Sequence, residues 1–299
     1  MAITIQINNI ILKPMYEERN KIILGEEPDH NSHLKCLFGD NINRELLLHI
    51  ADYVINNGQL AAANENMQVD GEDCTVFALY SPEDYIILQL TGQSIKEQNN
   101  ILSIFPSSRG GRITEITITN IQEYGNGYEA IITGEIMNGK KTISFFDTNY
   151  FEHKDEIKIG DKREFLIVAY AYEADILTEE QRIVKMNPDI MKAMAENLGK
   201  DMESMYPEID ISTGVAFEQH YDDCPDDGEF QSPVLTDVKE VTVAGESLYN
   251  IPMTLWQDLD DETIAFDISL YARTSFFESK PSIGDPLYGT LWLIGRTKS

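Results

Sequence analysis

The sequence predicts a mainly β protein, in which a small α+β part is followed by two small antiparallel β-barrels separated by an acidic helical insert. Short apolar strands and glycine-containing turns fill residues 112–176 and 232–296. The final thirds of these two segments resemble each other. Between them, residues 173–229 hold 16 acidic and 4 basic residues, with capping and spacing signals that are typical of helices.

Residues 1–105 are predicted to form the α+β domain. Ile5 and Ile7 alternate with polar residues, which indicates a half-buried strand. Asn43 is expected to cap a helix that ends at Gly58. The apolar run 74–80 predicts a strand, and the run 85–90 fits a strand or a helix. The sequence Pro-Ser-Ser-Arg-Gly-Gly at 106–111 predicts a linker.

The first barrel is assigned to residues 112–176 and the acidic helical insert to residues 177–231. Asn138-Gly139 predicts a hairpin within the first barrel, because a type I′ turn needs positive φ at both central positions. Thr178 and Gln181 have the spacing of a capping box at the start of a short helix in the insert.

The second barrel is assigned to residues 232–299 because its end repeats the end of the first. Ile159-Gly-Asp161 matches Ile283-Gly-Asp285, and both precede a closing apolar strand. This similarity indicates a degraded internal repeat. Each unit resembles an OB-fold, a five-stranded barrel that often serves as a binding module. The resemblance is one of fold, and it implies no particular ligand.

The charge composition limits the choice of partner. The chain has 23 basic and 51 acidic residues, a net charge of −28. This balance argues against nucleic acid and against an anionic membrane, because both bind through basic surfaces. It favours a protein partner with a basic surface, for which an inhibitor, an immunity protein or a nucleic-acid mimic are examples, or a small ligand. The sequence leaves the oligomeric state open.

The cysteines and the start of the chain suggest an intracellular setting. Three widely spaced cysteines form neither a disulfide framework nor a zinc signature. The first residues lack the features of a signal peptide, and no apolar stretch is long enough to span a membrane. A cytoplasmic location is therefore expected.

Carboxylates supply the candidate binding residues. Five lie in the acidic run 222–229, and two follow the sequence Phe-Phe or Phe at what we expect to be equivalent strand ends. These residues are Asp222, Asp223, Asp226, Asp227, Glu229, Asp147 and Asp267. An EF-hand loop placed on this run would require a bidentate glutamate where Val234 stands. A weakly bound divalent cation is the alternative to a partner here, and no other cofactor is predicted.

No motif for catalysis is recognisable in the sequence. His30, His33 and Cys36 have a spacing that would suit metal ligands on a helix, but the surrounding residues favour a loop and no fourth ligand is near. We therefore expect a non-enzymatic binding protein. The alternatives are a metal-assisted enzyme that uses the clustered carboxylates and a structural subunit of a larger assembly.

Overall fold

The computed structural model describes residues 5–7, 10–12, 33–40, 42–69, 72–95, 98–185, 187, 191–192, 196, 208–220, 224–261 and 263–298. Most of these residues lie in strands, which form a six-stranded, a ten-stranded and a two-stranded sheet. The predicted mainly β class is confirmed, and one part of the ten-stranded sheet is a closed five-stranded barrel.

The six-stranded sheet belongs to the N-terminal part. Its strands are β1 (Ile5–Ile7), β2 (Ile10–Leu12), β3 (Gln59–Val69), β4 (Glu72–Tyr80), β5 (Ile86–Ile95) and β6 (Gln98–Ser108). They lie in the order β1-β2-β6-β5-β4-β3. The sequence allowed a strand or a helix for the apolar run 85–90. From Ile86 onwards this run lies in strand β5, whose first eight residues are all buried. Burial on both faces explains why this strand has no polar alternation.

Two helices accompany this sheet, α1 (Lys35–Phe38) and α2 (Arg44–Asn57). The predicted caps of α2 are confirmed: the Asn43 side chain accepts a hydrogen bond from the Leu46 amide, and Gly58 follows the last turn. Ile50, Ala51 and Val54 form its buried face. Their spacing of three and four residues is the amphipathic pattern of a helix that packs on a sheet.

Ten further strands form the second sheet. They are β7 (Arg112–Glu123), β8 (Ala130–Ile136), β9 (Lys141–Asp147), β10 (Lys162–Ile176), β13 (Ala216–His220), β14 (Cys224–Pro233), β15 (Lys239–Val243), β16 (Glu246–Gln257), β17 (Ala265–Arg273) and β18 (Pro286–Thr297). Two short strands, β11 (Ile183–Lys185) and β12 (Glu208–Asp210), pair with each other outside it. Two short helices complete the elements used below, α3 (Tyr150–His153) and α4 (Glu179–Arg182).

The closed barrel has the strand order β7-β8-β9-β18-β10, and β10 pairs again with β7. Four of its five pairings are antiparallel, whereas β9 and β18 run parallel. Strands β7, β8 and β9 are consecutive, and β10 returns across α3 to lie beside β7, which is a Greek-key connection. Strand β18 comes from the end of the chain and closes the barrel.

A second group of strands surrounds the same two central strands. Strand β17 pairs with β10 in parallel, β16 pairs with β17, and β14 pairs with β18. An isolated bridge between Val234 and Met253 connects the end of β14 to β16. Strands β10 and β18 are therefore common to both groups, and we call them the shared strands.

The corners before the two shared strands have the same hydrogen bonds. The Gly160 amide donates to the Ile118 carbonyl, and the Gly284 amide donates to the Val234 carbonyl. Asp161 and Asp285 each accept a hydrogen bond on the side chain from the amide three residues earlier. This is the turn-stabilising role expected for aspartate. The matching sequences Ile-Gly-Asp therefore occupy matching positions in the two groups.

The second expected equivalence, between Asp147 and Asp267, is wrong in register. Asp147 is the last residue of β9, whereas Asp267 is the third residue of β17. The parallel pairings place Phe146 beside Ile294 and Tyr271 beside Tyr170, so Tyr271, not the residue before Asp267, corresponds to Phe146. The short sequence similarity around the two aspartates does not fix the alignment of the strands.

A large apolar cluster joins the N-terminal part to the outer face of the shared strands. We call residues 33–40, which contain α1, the α1 region. Its residues Leu34 and Leu37 are fully buried in the cluster together with Tyr170 and Trp292. Phe105 of β6 contacts Phe146 of β9 edge to face, with 5.1 Å between ring centroids. The interior of the barrel forms a separate cluster that continues into the second strand group. The described residues of the N-terminal part are thus docked on the barrel through a buried apolar interface.

The linker predicted at 106–111 is wrong in extent. Pro106 pairs with Leu88 within β6, and only Arg109, Gly110 and Gly111 separate β6 from β7. Strand β2 pairs with β6 only at residues 99–101, so the segment around Pro106 has no ladder partner on its second side among the described residues. A proline is tolerated at such an edge position.

The predicted helical insert contains strands where the structure describes it. Strands β11 to β13 and most of β14 fall within residues 177–231, and the expected boundary at 231/232 lies inside β14. The capping box of Thr178 and Gln181 is confirmed at α4. The helix expected after Asn187 lies mostly outside the described residues. The alternation of exposed and buried residues along β13 is a strand pattern, which the acidic composition had obscured.

The hairpin at Asn138-Gly139 is present, but its loop is longer than the predicted two residues. Ile136 and Lys141 form the last pair of β8 and β9. Positive φ begins already at Met137 (52°) and continues through Asn138 (57°) and Gly139 (85°). The left-handed conformation predicted for two residues therefore extends over three.

Candidate functional site

Three predicted binding residues, Asp226, Asp227 and Glu229, lie on β14, whereas Asp222 and Asp223 lie outside the described residues. Their surroundings differ. Asp226 is buried, Asp227 is half-buried and Glu229 is exposed. The acidic run therefore contributes both to a buried polar network and to an exposed sheet face.

The buried network joins β14 to both shared strands and to the start of the α1 region. The Tyr172 hydroxyl donates to Asp227 Oδ1 at 2.9 Å, and the Trp292 indole N–H donates to Asp226 Oδ2 at 2.8 Å. The His33 ring stacks on Trp292 with 3.9 Å between centroids and 5° between planes. Its Nδ1 is 2.5 Å from the Tyr172 hydroxyl. Four separate segments of the chain meet here.

Burial determines the protonation states of this network. It raises the pKa of Asp227 to about 8, and the charge of the adjacent Asp226 adds to the rise, whereas the hydrogen bond from Tyr172 opposes it. Burial also raises the pKa of Tyr172 and of the Cys36 thiol well above their ordinary values. Burial and the neighbouring charge of Asp226 thus favour the protonated form of Asp227. Such a perturbed carboxyl in a polar cluster is a recognised mark of functional sites.

An exposed acidic face begins beside this network. Glu218 on β13, Glu229 on β14 and Glu173 on β10 lie in one row across the sheet, with Thr290 of β18 between the last two. Asp175 lies in the next row on the same face, opposite Tyr288. Cross-strand neighbours share a face and strands are about 4.8 Å apart, so the row spans about 14 Å. We call Glu173, Asp175, Glu218 and Glu229 the acidic face.

The acidic face brings like charges together. Glu218 lies directly opposite Glu229, and like charges in directly opposite positions destabilise a sheet. A histidine and a lysine lie near. His220 is 3.9 Å from Glu229. Lys141 is close enough to Glu218 for the pKa of Lys141 to respond, although burial has the larger effect and lowers that pKa. The cluster retains an excess of negative charge on an exposed surface.

Asp147 lies in a different, enclosed environment at the end of β9. Its Oδ2 is 2.8 Å from His153 Nε2, and its Oδ1 accepts a hydrogen bond from the Asn149 amide. His153 Nδ1 is 3.1 Å from the Thr297 hydroxyl, which also accepts a hydrogen bond from the Asn149 side chain. The Asp147 side chain has no exposed area. We call these four residues, Asp147, Asn149, His153 and Thr297, the polar lock. It connects α3 to the end of β18, and a partner cannot reach Asp147.

Asp267 lies in a more open environment, near the start of β17. Its Oδ2 accepts from Arg112 at 3.0 Å and its Oδ1 accepts from the Thr254 hydroxyl at 2.8 Å. The side chains of Arg112 and Asp267 are 50% and 31% exposed, so water screens this ion pair. The structure does not bring Asp267 close to Asp147 or to β14.

The acidic turn at residues 258–261 is used locally. Asp258 accepts from Lys140 at 2.6 Å and from the amides of Asp260 and Asp261. The hydrogen bond from Lys140 is the main cause that lowers the pKa of Asp258. Glu262 lies outside the described residues. The described carboxylates here mainly stabilise a turn.

A surface groove of about 240 Å³ lies between the ends of β7, β8 and β10. Arg112, Lys162, Glu115 and Glu135 contribute two positive and two negative charges to its lining. Lys162 is already 3.2 Å from Glu115. The groove is smaller than the usual ligand pocket of about 300 Å³ or more, and its charges are balanced.

Metal binding by His30, His33 and Cys36 receives no support from the two of these residues that the structure describes. His33 and Cys36 lie in the apolar interface, where the Cys36 thiol donates to the Tyr170 carbonyl at 3.9 Å, and His30 lies outside the described residues. Within the described ranges there is no group of three or more His, Cys, Asp and Glu side chains that could hold a metal ion.

The sequence did not point to the uncharged members of the buried network or to Gln219. The Gln219 amide is buried and bonds both the N–H and the carbonyl of Ser144 on β9. It thereby replaces a strand partner along that part of β9. The only signal was the alternating pattern of β13, since Asp227 and Asp226 are distant in sequence from Tyr172 and Trp292, and Ser144 is distant from Gln219.

Comparisons of the chain with protein-family models, with curated proteins and with solved structures found no significant match. In the part of the chain that the structure describes, none of the helices has the length and apolar character needed to cross a membrane.

Proposed function

We propose that this chain is a non-enzymatic binding protein that docks a basic protein surface on the acidic face. The observation that carries the proposal is the row of Glu218, Glu229 and Glu173 on one exposed sheet face. Folding alone gives no reason to place like charges opposite each other. A basic partner would remove that repulsion on binding, and the long-range field would speed association.

The proposed fold supports a binding role. The closed barrel has five strands, a Greek-key connection and a short helix between its third and fourth strands, and we propose that it is OB-like. We further propose that β14, β16 and β17 with the shared strands are its degraded second copy, because the two corners match in sequence and hydrogen bonding. In an OB-fold the face of the second and third strands binds ligands. Here Ile131 and Phe146 on that face are buried under the N-terminal part, which leaves the acidic face as the better candidate.

The test compares two variants with the same change in net charge. One carries Glu173→Gln, Asp175→Asn, Glu218→Gln and Glu229→Gln. The control carries Glu45→Gln, Glu240→Gln, Glu246→Gln and Glu278→Gln, which are all exposed and lie outside the acidic face. Binding to an immobilised lysine-rich peptide, and to proteins from a lysate of the source organism, is measured at ~50 mM and ~500 mM salt, on either side of strong screening.

We expect the face variant to lose on the order of tenfold in affinity at low salt, and the control to lose much less, because close charges dominate the interaction. High salt should abolish binding of the unmodified chain. Equal losses in both variants would show that only net charge matters and would contradict a docking face. Binding that is insensitive to salt would contradict the basic partner.

The alternatives of the sequence analysis have their own measurements. A metal-assisted enzyme requires that calcium, magnesium, manganese or zinc raise the melting temperature, because a ligand of the folded state stabilises it. A structural subunit requires oligomers that grow with protein concentration. Neither alternative is favoured by a particular contact among the described residues.

A further inference from the structure

The hydrogen-bond chain that leads from His33 to Asp227 fixes the start of the α1 region on the shared strands. Leu34, Cys36 and Leu37 have no exposed area, and the His33 ring covers Trp292. At the other end of α1, a Cβ added to Gly39 would lie 2.6 Å from the Arg273 guanidinium. The segment is thus fixed by hydrogen bonds and ring stacking at His33 and is closely approached by Arg273 at Gly39, over an apolar face.

The donors of the hydrogen bonds between His33, Tyr172 and Asp227 depend on which group carries each hydrogen. Tyr172 has one hydroxyl hydrogen and donates it to Asp227. With this donation, Nδ1 of His33 supplies the hydrogen of the bond to the Tyr172 oxygen. A protonated Asp227 can instead donate its own hydrogen to Tyr172, which then donates to His33 Nδ1. In both arrangements each group is oriented by the next one, and Asp227 is the end of the chain. A change at Asp227 is consequently transmitted to His33 through Tyr172.

We propose that the chain His33–Tyr172–Asp227 is a proton-dependent clasp, which holds the α1 region on the shared strands while Asp227 carries a proton and loosens it when that proton is lost. Loss of the proton creates a second negative charge next to the buried Asp226, on a side chain that is itself half-buried. Such a charge is costly to bury. Local opening, which gives Asp227 fuller contact with water, relieves that cost and uncovers the outer face around Trp292 and Tyr170.

The surroundings of Asp227 support retention of the proton at neutral pH. Among the described residues that interact with this network, the titratable and charged groups are acidic or neutral except for the Arg273 guanidinium, whose charge acts on Cys36. The others come from four parts of the chain: Asp226 and Cys224 on β14, Tyr172 on β10, His33 and Cys36 of the α1 region, and Tyr124 and Glu129 around the connection of β7 and β8. The pKa of Asp227, raised to about 8 mainly by burial, agrees with this arrangement.

Trp292 gives a direct optical readout of the clasp. The chain has two tryptophans, and Trp256→Phe leaves Trp292 as the only one. Quenching of its fluorescence by acrylamide, a neutral molecule, is measured on the full-length chain between pH 6.5 and 9.5. Far-ultraviolet circular dichroism is recorded in parallel, so that global unfolding is distinguished from local opening.

We expect quenching to rise at least about twofold as pH increases from 6.5 and to level off above about pH 8, the pKa of Asp227 in the closed protein. The further change Asp227→Asn should keep quenching low at every pH, and Tyr172→Phe should raise it already at pH 7. Asp226→Asn should make the rise smaller, because a charged Asp227 is less costly to bury when the neighbouring negative charge is gone. Asp237→Asn, at an exposed site, should leave the profile of the parent unchanged.

A flat pH profile in the parent overturns the proposal, and this result needs no further variant to fold. The same rise in Asp227→Asn as in the parent also overturns it, because another group would then control the opening. The clasp does not depend on the basic partner proposed above, and failure of one proposal leaves the other standing.

Discussion

The two strand groups that share β10 and β18 have the same corners but differ in how they are closed. In the first group, β7 and β8 pair along most of their length, from Thr117 with Glu135 to Glu123 with Ala130. In the second, the only backbone pairing between β16 and the end of β14, among the described residues, is the isolated bridge between Val234 and Met253. The first group is a closed barrel, and the second holds together chiefly through the shared strands.

The connections that follow the third strand of each group show the same contrast. In the first group α3 is fastened by the buried polar lock of Asp147, Asn149, His153 and Thr297. In the second a 3₁₀ turn, Thr274–Phe276, follows β17, and Arg273 lies over the Phe276 ring at 4.3 Å. The less constrained group also supplies Glu218, Glu229 and Asp227. The comparison suggests that the first group gives rigidity and the second carries the candidate binding and switching residues.

The largest expected change in the free energy of unfolding comes from a comparison of Asp147 and Asp267, two of the aspartates that the sequence proposed as binding residues. Asp147→Ala removes one partner of a buried pair and should lower the free energy of unfolding by about 3–5 kcal/mol. Asp267→Ala removes a partly exposed partner of Arg112 and should lower it by no more than about 1 kcal/mol. Urea denaturation of both variants measures the difference. Equal values for the two would show that the first group is not locked by Asp147.

This pair of residues also shows what could be predicted from the sequence. The helix α2, most strands and the two corners follow from local signals, namely apolar period, caps and turn residues. The pairing of β10 with β18 and of β17 with β10 does not, because periodicity identifies an element but not its partner. Asp147 and Asp267 were matched through short similar sequences, and only the strand register separates them.

The candidate site was predictable in part for the same reason. The acidic run around Asp226 drew attention because it is local in sequence. In the structure Asp226 and Asp227 of this run join the buried network, whereas Glu229 is exposed. This division depends on the neighbours that β18 and β10 provide. Trp292 and Tyr172 lie far from β14 along the chain, so no local pattern could indicate that they donate hydrogen bonds to Asp226 and Asp227.

An intermediate effect should test the equivalence of the two corners. Gly160 and Gly284 have φ values of +93° and +86°, and an added Cβ would meet nothing within 4 Å at either position. The penalty of Gly→Ala is therefore purely conformational, about 1–2 kcal/mol at each corner. Thermal or urea unfolding should give values for the two variants that agree within the error of the measurement.

Gly110 provides the matched control for these corners. It also has open space around the position of a Cβ, but its φ is not in the left-handed range. Gly110→Ala should leave stability nearly unchanged or raise it slightly, because it restricts the unfolded chain. Clearly different penalties at Gly160 and Gly284 would mean that the two corners, despite their common sequence, do not carry the same backbone strain.

The smallest effect concerns pH and separates the polar lock from the rest of the molecule. Burial lowers the pKa of His153, but the charge and hydrogen bond of Asp147 raise it more, so the net pKa lies above its ordinary value. The charged pair then adds stability that is fully present below the ordinary histidine pKa of about 6.5. This contribution is lost as pH rises through the raised pKa of His153.

The free energy of unfolding of the unmodified chain is compared with that of the His153→Gln variant between pH 5 and 9. The difference isolates this contribution, because the titration of Asp227 is common to both proteins and cancels. The gap in free energy of unfolding should be widest below about pH 6.5 and should narrow as pH rises. The gap for Asp267→Asn, measured over the same range, should not narrow in this way, since no histidine contacts that residue among the described contacts. A gap for His153→Gln that widens with pH would mean that burial, not Asp147, dominates the pKa of His153, and that the lock is held by a neutral imidazole.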